Sequence, residues 1–245
     1  MSKSSTKRYP TKPIRLITAE PGSGIDFTAR VLAQGLAASL GQPVVIENRP
    51  TIISLETGSK AQPDGYTLTT AGNSMWNLPD MQSNIRWDPT KDFAPVSLVT
   101  SSPLILTVRP SLPVKSVKEL IDLARAKPGE LNYASGAAGA LPHLAGELFK
   151  SLAKVNIVLI PYKGTGAAVI DMIAGRVDMI IPGAGAVAPH IKSGKLRGLA
   201  VTTAKPSALF PDLPTVASAG LSGYEVMQMI GLFAGGKRLN PSSIG

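Results

Sequence analysis

The chain reads as an α/β protein built on mostly parallel sheets, and two observations predict this. Apolar strands alternate with helical segments along its length, and three times a strand runs into a glycine-rich turn and then into a helix. Those three units span residues 14–40, 131–152 and 155–174. In sheets of this kind ligands sit beyond the C-terminal strand ends, which is where the turns fall. A helix start carries unsatisfied N–H groups and a partial positive charge, and glycine lets a ligand approach that backbone closely. None of the three turns holds a nucleophile with a base beside it. The chemistry on offer is holding an anion, not cutting one.

Residues 14–18 are the first strand, and 26–40 a helix with Val31, Leu32, Leu36 and Leu40 on one face. Gly41 and Pro43 supply its stop signal. Residues 44–47 and 66–71 give the second and third strands. The apolar stretch 94–108 is interrupted by Pro95 and Pro103, which suits a strand crossing between domains better than a helix. Ser116 with Glu119 three residues on predicts a capping box, and that helix ends near Lys127, before Pro128 and Gly129. After the second and third strand–turn–helix units come a strand at 177–182, a helix at 187–193 and a strand at 196–201. Residues 213–223 are turn-rich, and 224–234 resume a strand. On this pattern 106–212 form one domain. Residues 1–105 and 213–245 form the other, with the chain crossing twice and a cleft between two sets of helix starts.

Composition narrows the chemistry. The 245 residues are 44% hydrophobic and 17% charged, as in an ordinary globular protein, and the length suffices for two α/β domains or one large one. A net charge of +9 favours anionic partners. Nucleic acid is not among them: no run of five basic residues exists, and five Phe and five Tyr offer little base stacking. The absence of Cys excludes disulfides, thiolate catalysis and cysteine metal sites. With only His143 and His190, a histidine-rich metal site is excluded too, and no cofactor is expected. No uninterrupted apolar run approaches membrane-spanning length, and no apolar leader precedes the first strand, so no signal peptide is present as written.

With the turns in place, the chain resembles the substrate-binding proteins of tripartite tricarboxylate transporters, the Bug or TctC family. The matching stretches are YPTKPIRLI, PGSGIDFTAR, LGQPVVIENRP, PDGYTL, KDFAPVSLV, LNYASGAAGALPHLAGELFKSLA, IPYKGTGAAVIDMIAGRVDMI, PHIKSGKLRGLAVT and LPTVASAGLSGYE. They run in order from Tyr9 to Ala234 at the family's spacing. The resemblance implies a two-lobed periplasmic-binding-protein (Venus-flytrap) fold in the periplasm, with no catalysis. A monomer would capture a small organic carboxylate and deliver it to membrane permease subunits; some relatives partner a sensor kinase instead. Carried over by position, the first turn supplies Gly22, Ser23, Gly24 and Asp26, and the segment AGNSMWN supplies Ser74 and Asn77. The second-domain turn supplies Ser135, Gly136, Gly139 and Ala140; Lys163, Gly164 and Asp178 complete the cleft.

The chain departs from the family pattern in four places. Thr51 to Leu55 replace a glycine-rich stretch, Ala140 stands where Ser or Thr is common, and Ala19 and Glu20 precede the first turn. Glu20 would repel an anion if it faced the cleft. The chain stops at 237–245 where the family runs several dozen residues further, so it reads as truncated at its C-terminus.

Each candidate also has a plainer reading. Gly22, Ser23 and Gly24 suit any tight strand-to-helix turn, and Asp26 suits a helix start by complementing the dipole. Ser135 and Gly136 precede a helix marked by Pro142, so free N–H groups point into that turn. His143 and Glu147 make an (i, i+4) helical pair, and His190 lies on a short polar helix with Lys192. Lys163 suits a ligand carboxylate or solvent; Trp76 and Trp87 suit lining the cleft or, more plainly, packing. A nucleotide-using enzyme is the weaker alternative: there is no GxxxxGK[ST] sequence, and Val169 stands where a GxGxxG turn needs its third glycine.

Overall fold

The computed structural model describes residues 9–136, 139–162 and 164–236. The chain divides into two units, one formed by Met1–Thr100 with Met229–Gly245 and the other by Ser101–Gln228.

Unit 1 begins with β1 (Ile14–Thr18), α1 (Gly24–Leu40), β2 (Val44–Asn48) and α2 (Thr51–Ser59). It continues with β3 (Thr67–Ala71), α3 (Ser74–Met81) and β4 (Phe93–Pro103). The sheet is completed by the last strand, β10 (Met227–Gly235), in the order β2-β1-β3-β10-β4. β1 runs parallel to β2 and β3, while β10 is antiparallel to β3. Ile14 and Leu16 of β1 bury against Ala29 and Ala33 of α1. A second cluster joins Leu55, Met75, Trp87, Phe93 and Phe233. Gly58 in α2 is forced by this packing, because a Cβ there would lie 2.3 Å from the Thr69 hydroxyl.

Unit 2 runs β5 (Ile105–Val108), α4 (Val117–Ala126), β6 (Asn132–Ser135), α5 (Leu141–Ala153) and β7 (Val158–Pro161). Then come α6 (Thr165–Ile173), β8 (Met179–Ile180), α7 (Ala184–Lys192) and β9 (Arg197–Val201). Its sheet has the order β7-β6-β8-β5-β9. β6 is parallel to β7 and β8, and β5 is antiparallel to β8 and β9. Helix α5 is clamped to this sheet. The Tyr133 ring of β6 fills the space where Gly146 lacks a side chain, since a Cβ there would sit 2.3 Å from the ring. Tyr133 also donates its hydroxyl to Glu147 at 2.5 Å, and buried Tyr224 donates to the Ala145 carbonyl at 3.0 Å while packing edge-on to Phe149.

Several expectations are corrected. The unit boundaries fall at 100/101 and 228/229, not at 105/106 and 212/213. Residues 213–228 stay with unit 2 because Thr215 bridges Val201 and Tyr224 packs on α5. The stretch 94–108 is two strands, β4 and β5, one for each sheet. Helices α2 and α3 were not expected: α2 follows directly on Pro50, and α3 contains Pro79. On α1 the buried face is Ala29 and Ala33, and Val31 is exposed.

Candidate functional site

In each sheet the parallel strands deliver a set of helix starts to one edge, the C-terminal ends of those strands. In unit 1 these are the starts of α1, α2 and α3.

Ser23 is the N-cap of α1 and accepts the Asp26 N–H at 3.2 Å. Asp26, third in the helix and buried, reaches back to accept the Gly22 N–H at 2.9 Å, and Gly22 sits at φ +77°. Its other oxygen accepts from Asn48 Nδ2 at 2.8 Å, and Arg30 Nε lies 3.1 Å away. Asn48 ties the corner shut by donating to the Ala19 carbonyl at 2.8 Å and accepting from Arg30 at 3.0 Å. Burial pushes the Asp26 carboxyl up, but the donors Asn48, Gly22 and Arg30 together hold it below the ordinary aspartate value. Both carboxylate oxygens are therefore engaged by the protein. The structure gives Asp26 the task of shaping the turn.

Glu20 does not point away from the fold as a stray charge. It accepts the Thr51 N–H at 2.8 Å and the Thr51 hydroxyl at 2.9 Å, capping α2, whose N-cap Pro50 has no capping side chain. That leaves α3, where Asn73 sends its side-chain oxygen to the Met229 N–H at 3.1 Å. Ser74 and Asn77 are half-buried on its first turn.

Unit 2 is arranged differently. β6 sits between β7 and β8, with Ser135 level with Pro161 and Ala134 level with Ile180, so α5, α6 and α7 start side by side. Their N-cap residues are Ala140, Gly164 and Gly183, and none provides a capping side chain. None of the three helices has an acid in its first turn. Pro142, second in α5, has no N–H to offer. At the end of β6, Ser135 is 1% exposed, and its hydroxyl finds no hydrogen-bond partner among the described residues. A buried, unsatisfied hydroxyl is unusual enough to require a reason. A polar guest held by that turn would supply one.

His143 is third in α5, and its Nδ1 accepts the Gly139 N–H at 3.2 Å. Gly139 sits at φ +82°. Sequence reasoning paired His143 with Glu147. Glu147 does feel His143 electrostatically, but its hydrogen bonds go to the Tyr133 hydroxyl and, at 2.8 Å, to Lys150. Burial raises the Glu147 carboxyl, and the Lys150 and Tyr133 hydrogen bonds bring it below the ordinary glutamate value. Burial, with the Glu147 carboxylate alongside, pushes the Tyr133 hydroxyl up.

The structure thus brings Ser135, Gly136, Gly139, Ala140 and Gly164 to one edge of unit 2. Asp178 is a correction. It precedes β8, level with the start of β6, where Arg109 donates to it at 2.7 Å and the Asn132 N–H at 3.0 Å. Ser135 lies at the other end of β6, so Asp178 belongs to the opposite edge and fastens strands. Lys163 lies outside the described residues, as do Ala137, Ala138 and 237–245. Sequence reasoning missed the α7 start at Gly183, although its PGAGA turn repeats the strand–glycine–helix pattern. A Cβ at Gly183 would lie 2.5 Å from the Gln228 side-chain oxygen, so the missing side chain leaves room for that amide.

A groove of about 630 Å³ at the other edge of the unit 1 sheet, lined by Lys12, Arg15, Glu56, Lys60 and Tyr66, is a weaker candidate. Its cations are taken: Lys12 lies over the Tyr66 ring, Arg15 pairs with Glu47, and Lys60 pairs with Glu56. Among the described residues no cluster of His, Asp or Glu could hold a metal ion, and no helix is long and apolar enough to cross a membrane.

Comparison with known proteins supplies the context. The profile described as the tripartite tricarboxylate transporter family receptor matches residues 28–242. The chain is 40% identical over 222 residues to protein BugT of Bordetella pertussis, covering 88% of this chain and 68% of BugT. Among solved structures it is similar to Rpa4515 of R. palustris with adipate, at 36% identity and a TM-score of 0.84, covering 93% of this chain and 78% of that one. It is likewise similar to the periplasmic binding protein BugD, at 30% identity and a TM-score of 0.85, covering 96% and 80%.

Proposed function

The chain belongs to the tripartite tricarboxylate transporter family of receptors, which bind solutes and are not enzymes, and from that premise we propose that it captures a small organic carboxylate in the periplasm and presents it to membrane permease subunits. The observation that carries this reading is the open edge of unit 2. Three neighbouring helix starts lack capping side chains, and a buried serine hydroxyl lacks a partner among them. Backbone N–H groups at such starts favour a negative guest through both hydrogen bonding and the helix dipole. The adipate held by Rpa4515 is a guest of this chemical class.

The magnitudes suit reversible capture. Three or four charge-assisted hydrogen bonds at about 1.5–3 kcal/mol each give roughly 5–12 kcal/mol gross. Ordering the guest and the turn takes back several kcal/mol. At the upper end of that range what remains reaches a micromolar dissociation constant, about −8 kcal/mol. Nothing covalent is needed.

Thermal unfolding with adipate, succinate, malate, citrate and benzoate at constant ionic strength tests the reading, with adipamide as the uncharged control. At about 100 times its dissociation constant a true ligand stabilises by ~2.7 kcal/mol, which raises the melting temperature by roughly 5–10 °C. The reading is abandoned if no acid raises it, or if adipamide does so as well as adipate.

A further inference from the structure

We infer that His143 is the positioning residue of the anion site, fastening the β6–α5 turn with an acceptor that carries no charge; this rests on the functional reading above. The reasoning starts from a backbone problem shared by both units. A glycine in the left-handed region precedes the N-cap of α1 and of α5, Gly22 at φ +77° and Gly139 at φ +82°. Its N–H points back toward the helix and needs an acceptor. In both helices the third residue provides one, Asp26 in α1 and His143 in α5. It resembles a capping box, in which Glu or Gln at the same helix position accepts the N-cap N–H, but here the bond reaches one residue further back, to the glycine before the N-cap.

What differs is the charge delivered to the first turn. A carboxylate there neutralises the positive end of the helix and would repel an anion approaching the same N–H groups. An imidazole whose Nδ1 accepts an N–H is the neutral tautomer with its proton on Nε2. His143 therefore secures the turn and leaves the helix field intact. Glu147, the nearest acid on the same helix face, is occupied by the Tyr133 hydroxyl and Lys150. Ala140 adds no competing cap, and the Ser135 hydroxyl beside the turn stays unpartnered. The corner is held open for a negative group by a residue that is not itself negative.

Three variants separate fastening from charge: His143→Gln keeps a neutral acceptor, His143→Glu keeps the acceptor and adds charge, and His143→Leu removes the acceptor. Two readouts are taken on the full chain. One is amide hydrogen exchange at Gly139 by NMR, which needs no ligand. The other is calorimetric affinity for adipate, succinate, malate, citrate and benzoate. His143→Gln is expected to protect Gly139 and to bind within about threefold of the parent. His143→Glu is expected to protect Gly139 equally while affinity falls on the order of tenfold to 100-fold. His143→Leu is expected to lose the protection and to bind about tenfold more weakly.

Wild-type affinity in His143→Glu, unchanged Gly139 exchange in His143→Leu, or failure of His143→Gln to rescue would each overturn the inference. A parent chain that binds none of the five acids overturns the functional reading and the charge half of this one. The Gly139 exchange pattern then still decides the fastening half by itself.

Discussion

The two strand–turn–helix corners led by Gly22 and Gly139 solve one geometric problem with opposite electrostatics. In unit 1 the acceptor is the Asp26 carboxylate, backed by Asn48 and Arg30, and the neighbouring helix α2 is capped by Glu20. Two of the three helix starts along that edge thus carry their own negative charge. In unit 2 the acceptor is a neutral imidazole, and α5, α6 and α7 begin without an acid in the first turn. A helix field that the chain has already neutralised has little left for a guest, whereas one left bare attracts an anion. The comparison also revises the view that the Gly22 and Ser135 turns hold carboxylates alike. On the reading proposed above, recognition of the guest's charge falls to unit 2; the α3 start of unit 1 offers only the uncharged, half-buried Ser74 and Asn77.

The largest effect expected from this difference is on stability. Asp26→Ala removes the acceptor for Gly22, Asn48 and Arg30 at a buried position and should destabilise by about 2–3 kcal/mol in urea unfolding. His143→Leu gives up a single neutral hydrogen bond and should cost only about 1 kcal/mol. Equal costs at the two positions would show that the corners are held in the same way, and the comparison would lose its basis.

The sequence made some of this legible and hid the rest. Glycine after an apolar strand marked both turns, because the positive φ at Gly22 and Gly139 is open to glycine without strain. The capping residue Ser116 was readable from Glu119 three positions on, and in the structure its hydroxyl accepts the Glu119 N–H at 3.2 Å. The roles of charged residues were not readable. Glu20 lies 31 positions before its partner Thr51, and Asp178 lies 46 positions after Asn132, so only the folded sheet shows that both are occupied. The His143–Glu147 neighbour pair was legible from helical spacing and survives as an electrostatic contact, whereas the hydrogen bond His143 accepts comes from a backbone N–H that no spacing rule exposes. The boundary at 228/229 was missed because 224–234 reads as one strand, whereas Tyr224 packs against α5 before β10 begins.

Acid unfolding sharpens the contrast at the next scale. Glu47 of β2 is hydrogen-bonded by Arg15, which is the main influence, and by Arg49, and together they hold it down at about 2 against an ordinary 4.5. A carboxyl held below its unfolded value stabilises fully above that value and loses the contribution as pH falls, here between 4.5 and about 2. Both arginine side chains are 40% exposed, so solvent screening reduces the contribution to about 1 kcal/mol. Asp26 is lowered too and adds in the same direction. Unfolding free energies from urea titration of the parent and Glu47→Gln should therefore differ by about 1 kcal/mol at pH 7 and converge near pH 2. Curves that stay parallel would mean that the pair contributes nothing to unit 1.

The smallest effect is the most direct probe of where the guest's charge goes. Glu20→Gln keeps one side-chain oxygen for the Thr51 N–H but removes the negative charge from the α2 start, at a stability loss of about 0.5 kcal/mol. If unit 1 is indifferent to the guest's charge, carboxylate affinity should change by less than about twofold, a difference under ~0.4 kcal/mol. If Glu20 stands close to a bound anion, deleting its charge would relieve a repulsion and tighten binding about tenfold. Calorimetry on the parent and Glu20→Gln with the same acid separates these outcomes. The tighter result would return a share of charge recognition to unit 1, and the asymmetry between the two corners would have to be abandoned.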